Sequence, residues 1–109
     1  MILFQILFEI ADDRRAEFEK TYADVFQPAL RKQPGFVTSK LLRLYPAARI
    51  QEIQGLASEF NYEFNFVFES EKARVRWAVS KDHDVAWPAV SVIARKLGWR
   101  GYDVVESTG

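Results

Sequence analysis

Cysteine is absent from this 109-residue chain, and histidine occurs once, at His83. A disulfide framework is therefore impossible, and a zinc site of nitrogen and sulfur ligands lacks its donors. A cysteine-free composition fits a reducing cytoplasm, which is the expected location. An excess of either charge is also missing, because 15 Lys and Arg balance 15 Asp and Glu. No overall field then draws the chain to nucleic acid or to a membrane surface, and neither is expected as a partner. The apolar start, Ile2 to Phe8, has no basic n-region and no small-residue cleavage site, and Gln5 and Glu9 interrupt it. It reads as a strand and not as a signal peptide. Internal repeats and low-complexity tracts are lacking as well.

What the chain does have is apolar and aromatic side chains, 49% and 15% of its residues. That excludes disorder and suffices for one core, so residues 1–109 are expected to form a single domain. The strongest signal is Glu59 to Glu69, where Phe60, Tyr62, Phe64, Phe66 and Phe68 alternate with Asn61, Glu63, Asn65 and Val67. Period two over this length predicts a strand with five rings on one face. Ile2, Phe4, Ile6, Phe8 and Ile10 give the first strand a fully apolar face, while Leu3, Gln5, Leu7 and Glu9 form a mixed one. A strand of that kind belongs in the middle of a sheet.

Asp12 and Asp13 offer N-caps to a helix on which Phe18, Tyr22, Val25, Phe26, Ala29 and Leu30 share a face. Pro28 should kink or break its last turns, and Pro34-Gly35 ends it. Phe36 to Tyr45 is a weaker, mixed strand suited to an edge. Residues 46–58 read either as a short helix carrying Ile50 and Ile53 with Gly55 as C-cap, or as an irregular loop that lids a pocket. Ser70 caps a helix beginning at Glu71, on which Ala73 and Trp77 share a face. A break near Asp82-His83-Asp84 precedes a further helix that aligns Ala86, Val90, Ile93, Ala94 and Leu97 and stops at Gly98. Tyr102 to Glu106 closes the chain as a short strand.

This order is that of the ferredoxin-like α+β fold, a βαββαβ chain with an antiparallel four-stranded sheet whose first and third strands are central. The first and third strands are also the most apolar here. Two helices cover one side only, which leaves Leu3, Leu7, Val37, Leu41 and Val67 on the other. An apolar patch of this extent points to an interface, and a homodimer with two sheets packed face to face would cover it. The plainer alternative is a slightly apolar open sheet.

His83, flanked by Asp82 and Asp84, is a candidate general base with a pKa raised by those carboxylates. The plainer reading is a solvated imidazole at a helix C-terminus. Trp77 and Trp87 are candidate walls of an aromatic pocket, to which Tyr22 and Tyr62 would add hydroxyls that orient a flat ligand. Against that, these rings, like Phe26 and Phe64, could simply fill the core. Asn61 and Asn65 read as polar residues at the dimer seam, and Arg74 and Arg76 as a solvated helix face.

Three short motifs carry a resemblance: Pro34-Gly35-Phe36 after the first helix, Phe68-Glu69-Ser70-Glu71 leading into a helix with Trp77, and Ser80 followed by His83. Together they resemble the antibiotic biosynthesis monooxygenase family over nearly the whole chain. The resemblance implies a dimeric α+β barrel that oxygenates a small phenol or quinol with no cofactor. A base would remove a phenolic proton, the anion would reduce dioxygen, and a dry pocket would protect the intermediate. One branch of the family degrades haem. Trp77 stands where that branch has a pocket tryptophan, but its ligating histidine would fall near Trp87 and its first-strand asparagine near Ile6 or Leu7. Haem degradation is therefore not expected.

Two other readings share the topology. Phe64-Asn65-Phe66-Val67-Phe68 resembles the aromatic third-strand motif of RRM domains. The leading basic residue and glycines are missing, however, and Glu59, Glu63 and Glu69 load the strand with negative charge. The other is a non-catalytic dimeric module that binds a small aromatic ligand. What separates it from an enzyme is a base within hydrogen-bonding reach of an enclosed cavity.

Overall fold

A computed structural model describes residues 1–109. β1 (Ile2–Glu9), β2 (Phe36–Arg43), β3 (Tyr62–Phe68) and β4 (Lys96–Asp103) form one antiparallel sheet in the order β2-β3-β1-β4. This is the ferredoxin-like α+β topology, with the two most apolar strands at its centre. Phe8 faces Tyr62, Ile6 faces Phe64 and Phe4 faces Phe66 across the β1–β3 ladder, the pairing unit that stabilises a sheet. Phe60, expected on the same strand, lies before it and is half-buried.

After β1 the chain turns once as a 3-10 helix and runs on through α1 (Arg15–Thr21), a π-helical turn (Tyr22–Phe26) and α2 (Gln27–Arg31). Asp12 and Asp13 do not cap it. Ala11 holds that place without a side-chain hydrogen bond, and both carboxylates sit in the first turn, where the helix dipole favours them. The expected kink at Pro28 is absorbed by the π turn, in which the Gln27 N–H reaches the Tyr22 carbonyl. That shift places Pro28 in the first turn of α2, where a missing N–H breaks no ladder. Tyr22 and Phe26 both stay buried.

β2 is an edge strand, as predicted, but carries a bulge. Phe36 pairs with Phe68 while Thr38 pairs with Val67, so the extra residue reverses the faces of all that follows. Leu41 therefore packs against the core, and Leu42 takes its expected place on the open side. Residues 46–58 contain a short helix, α3 (Ala47–Glu52). It ends with the Gln54 N–H on the Gln51 carbonyl and the Gly55 N–H on the Ile50 carbonyl. The left-handed residue is thus Gln54 (φ 54°), one position before the expected Gly55.

α4 (Glu71–Ala78) and α5 (Lys81–Ser91) break at Val79–Ser80, not at residues 82–84. Ser70 caps α4 by accepting from the Ala73 N–H, and Ser80 caps α5 by accepting from the His83 N–H. α5 stops short of Leu97 and Gly98, which pair with Phe8 and Leu7 in β4. The last strand therefore begins at Lys96 and not at Tyr102. Leu97 matched the preceding helical period well enough to hide the change to period two. The 16 buried residues form one cluster, all between sheet and helices. The molecule is 21 Å deep, the depth of one sheet and one helix layer. No helix is long and apolar enough to cross a membrane.

Candidate functional site

Between α4, α5 and the sheet lies a cavity of about 280 Å³. Phe4, Ile6, Phe66 and Trp99 form its floor and edge, and Phe26, Arg74, Trp77, Ala78, His83 and Trp87 the rest of its wall. All three tryptophans of the chain are among them. Local sequence explains the placement. Gly35 has no side chain where a Cβ would lie 2.7 Å from Ala73 Cβ, so α4 settles close on the end of β2. One turn later Trp77 meets Phe26 edge-on, with centroids 5.7 Å apart.

His83 and Trp87 share a face of α5 at the i, i+4 spacing. The imidazole sits between two indoles, edge-to-face with Trp77 at 5.0 Å and stacked on Trp87 at 6.3 Å. Its side chain makes no hydrogen bond within the protein, so both ring nitrogens are left for a ligand. Burial holds the His83 pKa below its ordinary 6.5, with Asp84 opposing more weakly. This reverses the expected upward shift. Asp82 points away, accepting from Gln33 Nε2 at 2.8 Å and pairing with Lys32 at 3.3 Å. The imidazole also stands in the first turn of α5, at the helix end opposite to the one expected, where the dipole disfavours a cation. A neutral imidazole with a free lone pair results, which is the state a general base requires.

Tyr22 and Tyr62 lie outside this cavity. The Tyr22 hydroxyl is 2.9 Å from Ser39 Oγ, and Tyr62 donates to Glu19, which also pairs with Arg43. Burial raises both phenol pKa values, and the Glu19 carboxylate adds to the effect at Tyr62. Both rings are on the helix side of the sheet, as alternation predicted. Tyr62 is nevertheless four strand residues from Phe66, ~13 Å along β3. Shared facing did not bring it to the tryptophans. Asn61 is not at the open face either. Its side chain exchanges two hydrogen bonds with the Ile10 backbone, at 2.9 and 2.8 Å, and so extends the β1–β3 ladder.

Sequence reasoning missed Arg74 and Trp99. Arg74 is not a solvated residue: its side chain is 21% exposed, lies 4.7 Å over the Phe4 ring and is bonded through Nε and Nη2 to Glu71. Trp99, opposite Ile6 in the ladder, is 60% exposed at the cavity edge. Its period-two relation to Leu97 and Gly101 was the available signal. No group of three or more His, Cys, Asp or Glu side chains is arranged to hold a metal ion.

No protein-family model and no curated protein matches the chain. Solved structures do. A mutant of SnoaB, a cofactor-independent oxygenase from Streptomyces nogalater, superposes with TM-score 0.76 at 19% identity over 97% of this chain and 94% of its own. A Caulobacter crescentus protein named an antibiotic biosynthesis monooxygenase gives 0.74 at 19%, over 96% and 90%. A MhuD mutant with two manganese protoporphyrin IX bound per active site gives 0.71 at 21%, over 100% and 99%. Another match, from Jannaschia sp. CCS1, is described as a dimeric ferredoxin-like protein of unknown function, with TM-score 0.73 at 14% identity over 94% and 98%. These likenesses establish the fold, and the names agree with the resemblance carried by the sequence motifs.

Proposed function

We propose that the chain is a cofactor-independent monooxygenase acting on a small phenol or quinol, with His83 as general base and Trp77 and Trp87 as pocket walls. The observation that carries this reading is a neutral imidazole, both ring nitrogens free, set between two indoles in an apolar cavity. SnoaB, with the same fold, is described as a cofactor-independent oxygenase. Tyr22 and Tyr62 have no part in it.

A flat substrate enters between the indoles and presents its hydroxyl to His83. Proton transfer to the imidazole leaves an electron-rich anion, which passes one electron to dioxygen. The radical pair combines at a ring carbon to a peroxide. The imidazolium returns its proton to the distal oxygen as the O–O bond breaks, and loss of the proton on that carbon completes the water. The sum is substrate plus dioxygen giving quinone plus water, with no outside reductant. The apolar walls offer water few partners beside the intermediate. Protoporphyrin does not fit these residues: the cavity is at the small end of ligand sites, and indoles flank the one imidazole.

Oxygen uptake with hydroquinones and anthrones tests the chemistry. His83→Ala should cut the rate by ~10²–10⁴, the range for a lost general base. Equal rates in both proteins would remove His83 from the mechanism. Ligand binding without uptake would make the protein a binding module of the same fold.

The same reading includes a homodimer through the open sheet face. Leu3, Leu7, Leu42 and Val67 lie there around Gln5, Glu63 and Asn65, and Asn65 Oδ1 is buried without a partner. An unpaired buried acceptor costs about 1–3 kcal/mol, which a donor from a second copy would recover. Light scattering should give twice the chain mass for the native protein and the single mass for Leu3→Glu/Leu7→Glu. A monomeric native protein would sink the dimer.

A further inference from the structure

We propose that the aromatic ligand of this cavity carries a substituent that is already anionic when it binds, a carboxylate or an equivalent acidic oxygen, and that Arg74 receives it. The inference rests on the cavity being an aromatic-ligand site and adds the ligand's charge. Arg74 bears the only fixed charge among the lining residues, since His83 is neutral.

Its guanidinium is held in place from two sides. The Phe4 ring lies beneath it at 4.7 Å, a cation–π contact, and the Glu71 carboxylate engages Nε and Nη2. A guanidinium carries five N–H donors in a planar fork, and one edge of the fork can serve one carboxylate. Glu71 occupies the Nε edge, and Nη1 donates to no protein acceptor. The second edge, Nη1 with the remaining Nη2 proton, is therefore a preformed bidentate seat. Its position fits a ligand and not merely a surface ion pair, because the side chain is only 21% exposed whereas Glu71 is 60% exposed. Asp103 is the other acid nearby. It shares a shallow crevice with Arg74, Glu71 and Tyr102 and makes no ion pair with the guanidinium. A flat ring lying among the tryptophans with an acidic group toward α4 would satisfy both the apolar walls and the unspent donors. A ring with no such group would leave the second edge of the fork facing an apolar partner.

The three indole N–H signals of the ¹⁵N-labelled protein report occupancy without turnover, because every tryptophan lines the cavity. The probes are 2-naphthoate and its neutral isostere 2-naphthamide, titrated into the native chain, Arg74→Gln and Arg74→Lys. Naphthoate should bind at least ~10-fold tighter than the amide, a difference of about 1.4 kcal/mol. Arg74→Gln should erase that preference by weakening naphthoate far more than the amide, while Arg74→Lys, keeping charge but not the fork, retains part of it. Equal affinities in the native chain, or a preference that survives Arg74→Gln, overturns the anion seat and leaves the aromatic cavity standing. If neither probe moves any indole signal, the cavity reading falls and the anion seat with it.

Discussion

Replacing Gly35 with alanine imposes two separable costs. Gly35 has φ +82°, a conformation L side chains rarely adopt, and an added Cβ would lie 2.7 Å from Ala73 Cβ, closer than real Cβ atoms come. The backbone cost is about 1–2 kcal/mol. The steric cost is that of an overpacked core, about 1–3 kcal/mol. Together they come to roughly 2–5 kcal/mol, a large part of the ~5–15 kcal/mol that holds a domain folded. Urea denaturation should show a lowered midpoint with unchanged slope. Ala73→Gly removes the opposing Cβ at a helix-propensity cost of about 1 kcal/mol. In the double variant only the backbone cost of Gly35→Ala remains, so a double-mutant cycle should return a coupling of ~1–3 kcal/mol. The same contact sets the height of α4, which carries Trp77 and Arg74. Gly35→Ala should therefore shift tryptophan emission, and Ala73→Gly should restore it. A coupling near zero refutes the close approach, and a total loss below about 1 kcal/mol refutes the left-handed turn as well.

His83 makes stability depend on pH with a definite sign. The unfolded chain takes up its imidazole proton near pH 6.5, whereas the folded chain resists to lower pH, so stability falls as pH drops through that window. The stability from the depressed carboxyls of Glu17, Glu71 and Asp82 is lost only as pH falls through and below their ordinary 4.5, 4.5 and 3.8. Urea midpoints between about pH 5 and 7 should thus slope for the native chain and flatten for His83→Gln; parallel slopes would contradict a half-buried imidazole that resists protonation. Tyr22→Phe and Tyr62→Phe should each cost about 1 kcal/mol of stability and leave naphthoate affinity unchanged, since neither phenol reaches the cavity. A loss of affinity in either would move the ligand toward α1. Ala78→Leu, which fills the cavity from its wall, should raise stability by up to ~2 kcal/mol at about 0.8 kcal/mol per methylene while abolishing binding. Retained binding would place the ligand elsewhere.

The sheet was legible because its evidence is local and strong. Alternation in Ile2–Ile10 and Tyr62–Phe68 makes each strand's inward face unambiguous, and a turn signal bounds each. β4 was not legible beyond its last residues. Gly98 looked like a helix end, and the ladder that recruits Lys96 to Gly101 lies almost a whole chain away in sequence, on β1. The bulge at Val37 was equally hidden, because only pairing with β3 reveals that Leu41 and Leu42 exchange faces. For the site, residue types were readable and distances were not. Trp77, His83 and Trp87 meet because the break between α4 and α5 falls at Ser80, three residues earlier than read. The correction also moves His83 from a helix end that favours a cation to one that disfavours it.

The two halves of the fold share a topology but are filled differently, and that difference locates the cavity. Under the first helical run, Phe18, Tyr22 and Phe26 pack on Phe8, Tyr62 and Phe64 with centroids 4.5–6.0 Å apart, a solid aromatic layer. Under α4 and α5 the wall instead includes Ala78, whose methyl leaves the space between helices and sheet unfilled. The three tryptophans surround this opening without closing it. An unfilled core forgoes dispersion contacts that packing would supply, so this half is the less stable one by construction. The solid half bears the fold. The hollow half, with one imidazole and one guanidinium in an otherwise apolar wall, is where the proposed flat, acidic ligand would bind.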